Sequence, residues 1–361
     1  MKTIEIFALP GHARRSKLIF SVLLFFLLLS YSYSNEYLTC YKRGERALNN
    51  KNYSEAIDYL SEAIKLWKKT YGKFSLAVVF NLRGIAYSEL MEYAKALEDF
   101  TEAIKLNRKY NEAFNNRGIA FFNLSEYGKA IEDYTEAIRL KKRYPEALNN
   151  RGLAYLHKED YERAVEDFTK AIDLNLESAE TYDCRGMAYE GLGLKEKALE
   201  DFTKALDVDP HFWNSYFNRA LVYTEDKRYE QAVEDFTAAL RFNPDNAEIF
   251  NGRGIAYSKT EEIDRAISDF TRAINLSPDH KEAYFNRAAC YQKKEEHQKA
   301  LEDLSQVIER YSGDGEALYR RGVSYFWLGM KKEAIADLKR AVDLGNTLAR
   351  KFLKENLKID K

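Results

Sequence analysis

Between Asn115 and Tyr144 the chain reads NNRGIAFFNLSEYGKAIEDYTEAIRLKKRY. In its second part Ala130, Ile131, Tyr134, Ala137 and Ile138 recur at spacings of three and four, the mark of an amphipathic helix. A shorter helix, AFNNRGIAFFNL, precedes it, with Ser125 and Glu126 in the turn between. Gly118, Ala130 and Ala137 are small enough for two antiparallel helices to approach closely, and Phe121 fills the space that is left. One residue resists this reading. Arg117 lies on the apolar face, where a charge is costly unless it is paired.

The oddity recurs. Gly84, Gly118, Gly152, Gly186, Ala220, Gly254, Ala288 and Gly322 each follow an arginine, in steps of 34 residues, and Gly44 adds a ninth copy 40 residues before Gly84. With the small residue counted as position eight, copies start near residues 37, 77, 111, 145, 179, 213, 247, 281 and 315. Position eleven is aromatic (Tyr87, Phe121, Tyr155, Tyr189), position twenty is alanine (Ala96, Ala130, Ala164, Ala198), and position twenty-four is bulky (Phe100, Tyr134, Phe168, Phe202). Proline stands at position thirty-two in three copies, as Pro210, Pro244 and Pro278. A hairpin of two helices cannot bury its apolar face alone, so neighbouring copies must stack.

A 34-residue period with small and aromatic residues at these places resembles the tetratricopeptide repeat. The resemblance implies an all-α fold: an α-solenoid, wound as a right-handed superhelix, of nine helix–turn–helix repeats with a C-terminal capping helix. Residues 1–34 are expected to be a signal peptide or membrane anchor, 35–346 the solenoid and 347–361 the cap, with Asn346 or Thr347 capping its N-terminus. The insertion LWKKTYGKFSLAVV in copy one is expected to lengthen its second helix, as in the longer repeats of kinesin light chains.

Position seven faces position twenty-three in a matched series: Arg83 and Asp99, Arg117 and Asp133, Arg151 and Asp167, Arg185 and Asp201, Arg219 and Asp235, Arg253 and Asp269, Arg287 and Asp303, Arg321 and Asp337. Copy one has Arg43 but Tyr59, with Asp58 one residue early. A bidentate, charge-assisted pair satisfies a buried guanidinium. The arginines are therefore read as structural ion pairs, within a copy or with its neighbour, rather than as a cationic comb for a ligand.

Lys and Arg number 56 against 57 Asp and Glu, which excludes a general footprint for nucleic acid but not a local basic patch. At the N-terminus a basic region is followed by the apolar run Leu18–Leu29 and the small residues SYSYS. These are the parts of a secretory signal, and the run is short of the roughly 20 residues that span a bilayer. Export with cleavage after Ser34 is expected, an uncleaved membrane anchor being the alternative. Cys40, Cys184 and Cys290 fall in separate copies, too far apart for a disulfide.

No metal-ligand spacing, phosphate loop or catalytic triad is present in the sequence. The reading is a non-catalytic scaffold that needs no cofactor and takes a protein or peptide partner rather than nucleic acid or a small-molecule substrate. The alternative is a structural subunit of an envelope or membrane assembly that uses its outer surface. In the family the first helices line a concave groove. Position five carries Asn81, Asn115, Asn149, Asp183, Phe217, Asn251, Phe285 and Tyr319, and position six adds Asn116, Asn150, Asn218 and Asn286. Such amides resemble the peptide-holding asparagines of the repeat domain of O-linked N-acetylglucosamine transferase. Position five is thus the expected peptide-contacting row, with Phe326 and Trp327 extending an aromatic end.

Overall fold

The computed structural model describes residues 36–359. The expected signal or anchor segment, residues 1–34, lies outside them. Every regular element among the described residues is helical. The chain divides into two compact units, 1–176 and 177–361. The first holds α1 (36–49), α2 (Tyr53–Leu66), α3 (Lys73–Glu89), α4 (Tyr93–Leu106), α5 (Asn111–Asn123), α6 (Tyr127–Leu140), α7 (Pro145–His157) and α8 (Tyr161–Asp173). The second holds α9 (Ala179–Gly191), α10 (Lys195–Val208), α11 (Trp213–Glu225), α12 (Tyr229–Phe242), α13 (Ala247–Lys259), α14 (Ile263–Leu276), α15 (Lys281–Lys293), α16 (His297–Arg310), α17 (Gly315–Trp327), α18 (Lys331–Asp343) and α19 (Thr347–Leu357). Within each unit, consecutive helices pair as antiparallel hairpins, and each hairpin packs on the next.

The hairpin turn has a fixed geometry. Ser125 adopts φ 59°, and its N–H and that of Glu126 donate to the carbonyls of Phe122 and Phe121. Lys51, Met91, Glu159, Lys227, Glu261 and Glu295 take the same left-handed conformation at the same place, and Gly193 and Gly329 supply it with glycine. This closes the first helix by satisfying its last carbonyls. The alanines at position twenty are fully buried, and Phe100, Phe168, Phe202, Phe236 and Phe270 are at most 1 % exposed.

The small residue at position eight is required by the ring at position twenty-four. A Cβ on Gly118 would sit 2.6 Å from the ring of Tyr134. Two copies carry alanine there and solve the clash differently. Opposite Ala288 the ring is replaced by Leu304, while opposite Ala220 the Phe236 ring remains and reaches the next hairpin at Gly252. A Cβ on Gly252 would stand 2.6 Å from that ring. Close-packed interiors transmit volume changes to neighbours in this way.

The insertion in copy one does not lengthen its second helix. The chain leaves α2 at Leu66, Trp67 is extended, and a 3₁₀ turn covers Lys69–Tyr71. Gly72 then adopts φ 80°, and the added residues lengthen α3 to 17 residues against 13 in α5. Packing explains the break: the Tyr71 ring stacks on Tyr37 at 4.9 Å, and Trp67 Nε1 donates to Ser75 Oγ at 3.2 Å. At the other end of the chain Asn346 caps α19 by accepting from the Ala349 N–H, and Leu353 is buried in the last core cluster.

Candidate peptide-binding face

In every pair from copy two to copy nine, the arginine donates Nε and Nη2 to both carboxylate oxygens of its own copy's aspartate, at 2.6–3.0 Å. The third donor reaches the preceding copy: Arg117 Nη1 bonds Thr101 Oγ1 at 3.2 Å, and Arg253 Nη1 bonds Thr237 Oγ1 at 3.1 Å. Within each unit such an arginine therefore ties its hairpin internally and to its neighbour at once. The hydroxyl row, which includes Ser61, Thr135, Thr203, Thr271 and Ser305, repeats in the sequence with the arginines but went unused in the sequence reading. Aromatic rings sandwich the guanidinium: Arg117 lies 5.7 Å from the Phe114 centroid and 6.0 Å from that of Phe121. Burial pushes the Asp99, Asp133 and Asp303 carboxyls upward while the guanidiniums pull them back. With two short charge-assisted bonds each, they are carboxylates at neutral pH. In copy one, Arg43 lies over the Tyr59 ring at 5.7 Å instead.

Position five is not an open amide row. Asn81, Asn115, Asp183 and Asn251 are only 3–8 % exposed. Each accepts from position six of the next hairpin: Asn116 Nδ2 bonds Asn81 Oδ1 at 3.0 Å, Asn150 bonds Asn115 at 3.1 Å, Asn218 bonds Asp183 at 3.1 Å, and Asn286 bonds Asn251 at 3.0 Å. A buried amide must find a partner inside the protein, and the adjacent repeat supplies it. Where position five is aromatic, its neighbour changes to suit. Gly252 follows Phe217 in the series, and Arg320 lies 5.9 Å over the Phe285 ring. Asn149 is half-buried. Tyr319 and Phe326 both meet Phe352 of α19 edge-on, at 6.4 and 5.2 Å, so they serve the cap; Trp327 stays 64 % exposed and stacks on His297.

Asp183 departs from the asparagines of its row. It accepts from Ser215 Oγ at 2.6 Å as well as from Asn218, and burial raises its carboxyl to about 6. Burial likewise pushes the neighbouring Cys184 thiol up to about 12, which keeps it unreactive. Cys40, Cys184 and Cys290 are all unpaired thiols.

What the first helices leave open is position nine. Ile85, Ile119 and Leu153 in the first unit are half-buried, as are Ile255 and Val323 in the second, where Met187 and Leu221 are more exposed. In the second unit the row passes through a depression of about 540 Å³ lined by Ile255 and Phe285 together with Asn251 and Asn286. Its walls carry two ion pairs, Lys281 with Asp314 at 2.6 Å and Arg320 with Glu316 at 2.7 Å. A larger depression of about 660 Å³ lies over Arg287 and Asp303, whose polar groups are already engaged.

Tetratricopeptide repeat patterns match residues 41–109, 145–177, 179–212, 202–234, 247–280, 282–314 and 316–344, and the related TPR repeat pattern matches 120–158 and 221–261. The chain belongs to the tetratricopeptide repeat family. Proteins of this family are in general scaffolds for protein interaction, and the fold is typically non-catalytic. The C-terminal part of a TPR repeat-containing protein from Cytophaga hutchinsonii is similar, with a TM-score of 0.56 and 20% identity over 66% of this chain and 98% of that one. A tetratricopeptide repeat protein from Parabacteroides merdae gives 0.54 and 20% over 71% and 99%, and pilF of Pseudomonas aeruginosa gives 0.54 and 19% over 60% and 99%. These likenesses concern the fold. No curated protein matches the chain.

Proposed function

We propose that this tetratricopeptide repeat protein is a non-catalytic scaffold that holds a polypeptide segment against the first-helix face of a unit. The depression in the second unit carries the reading. The apolar side chains of Ile255 and Phe285 offer non-directional affinity, and the charged pairs at its walls orient what binds. The amides beside them are occupied by one another, so recognition falls to position nine, Phe285 and the wall charges rather than to a ladder of asparagines.

Site-specific photo-cross-linking tests this. A benzophenone side chain at Ile255 should form an adduct with a co-purifying polypeptide, and one at the exposed Glu234 of α12 should not. Adducts at Glu234 alone would move binding to the outer surface and to the assembly-subunit reading. The N-terminal sequence supports export or retention at a membrane. A native product beginning near Asn35 is expected for export, whereas an intact Met1 in the membrane fraction would select the anchor.

A further inference from the structure

The first unit bears an unbalanced basic edge. Its three loops that join one hairpin to the next, residues 65–73, 105–110 and 139–144, contain eleven Lys and Arg residues and no Asp or Glu. All eleven are exposed. The matching loops within the second unit, 207–212, 241–246, 275–280 and 309–314, contain two basic and six acidic residues.

Because antiparallel hairpins stack in register, these three loops lie at one end of the first unit's helices, the end where the Tyr37 ring of α1 stacks on Tyr71 of the first loop. Neighbouring packed helices are about 10 Å apart, close to the screening length of about 8–10 Å at physiological salt, so the charges act as one field. Lys65, Lys105 and Arg139 are paired with glutamates on their own helices, and Lys141 lies over the Tyr144 ring at 4.2 Å. Among the described residues no carboxylate comes within 4.0 Å of Lys69, Lys73, Arg108, Lys109, Lys142 or Arg143. Glu112 and Glu146, exposed in the first turns of α5 and α7, reduce the excess without cancelling it.

We propose that this ridge is a docking surface for anionic lipid headgroups. Two features favour a bilayer over an acidic polypeptide. The charges stand on a row of loop tips, not in the first-helix depression where a segment of chain would be enclosed. In the sequence the apolar run Leu18–Leu29 ends seven residues before Glu36 of α1, and Tyr37 lies at this same end, so the apolar run and the polybasic edge are close along the chain.

The test follows lysine acetylation by mass spectrometry on the full chain, with phosphatidylcholine vesicles and with vesicles that also contain phosphatidylglycerol. Lys69, Lys109 and Lys142 should be labelled several-fold more slowly on the anionic vesicles only. Lys259 and Lys293 of the second unit should be unchanged, and high salt should abolish the contrast. The variant Lys141→Glu/Lys142→Glu/Arg143→Glu, checked by circular dichroism, should lose the protection; if it fails to fold, the salt titration on the native chain decides. Attachment to both vesicle types without the contrast would leave an N-terminal anchor standing and overturn the ridge. Equal protection by soluble polyglutamate, or by single-stranded DNA, would overturn it in favour of an acidic polypeptide or nucleic acid.

Discussion

The two units use one loop backbone for opposite chemistry. In three of the second unit's loops the residue after the helix cap is Pro210, Pro244 or Pro278, the fourth having Ser312 after Tyr311; in two of the first unit's loops it is Arg108 or Lys142. The residue before each of these prolines and basic residues has nearly the same conformation: φ −137° and −129° at Asn107 and Lys141, and −135°, −133° and −133° at Asp209, Asn243 and Ser277. Proline forces its predecessor toward this extended region, but the basic loops reach it without proline. Stacking of the hairpins therefore sets the loop shape, and the side chains on the loops are free to differ. What the fold demands is common to both units, and what departs between them is where function is to be sought.

The largest expected effect concerns what the units share. Asp167→Ala in the first unit and Asp269→Ala in the second should each destabilise locally by about 3 kcal/mol, the lower end for a broken buried pair, since the guanidinium keeps some access to water. Hydrogen exchange is the suitable measurement, because repeat arrays unfold locally. A double-mutant cycle with Arg151→Ala should show strong coupling. Losses of about 0–1 kcal/mol, the range of exposed pairs, would return the arginines to the ligand-comb reading.

Next comes the one acid in the buried amide row. Asp183 has a folded-state pKa of about 6, above the unfolded value of about 3.9. An acid whose pKa rises on folding stabilises the fold fully below the unfolded value, and that contribution is lost as pH rises through 6. The second unit should gain stability as pH falls from 7 to 5, and Asp183→Asn should remove that gain. At pH 7 the variant should be more stable by up to about 3 kcal/mol. Melting curves with the same pH dependence in both proteins would contradict this.

Third, Phe285→Ala should weaken capture of a bound segment by about 2 kcal/mol, as for an aromatic anchor. Asn115→Ala should instead lower stability by about 1–3 kcal/mol, because it leaves the Asn150 amide without its acceptor. Comparing affinity with melting temperature for the two variants separates the roles; a binding defect in Asn115→Ala without loss of stability would restore the open-ladder view. Phe285 also packs on the last core cluster, so some loss of stability accompanies its truncation. The smallest effect is at the loops. Lys142→Pro, preceded by a compatible backbone at Lys141, should stabilise by about 0.4–1 kcal/mol. A drop in melting temperature would show that the two units' loops are less alike than their dihedral angles.

The 34-residue period, the hairpin of two helices and the arginine–aspartate series were legible in the sequence because each depends on residues within one copy. Gly118 must be small because Tyr134 is sixteen residues away on the partner helix, and that relation repeats visibly. The candidate site was less legible. Asn115 looked like a groove residue because its helix position suits one, but its partner, Asn150, is 35 residues away in the next hairpin, and the equal Asn81–Asn116 spacing was visible without showing that the pair is buried. Helical periodicity places a residue on a face of its own helix. Whether that face is covered depends on how close the next hairpin stacks, and the stacking alone decided that Asn81, Asn115, Asp183 and Asn251 are interior, that Tyr319 belongs to the cap, and that position nine is left open.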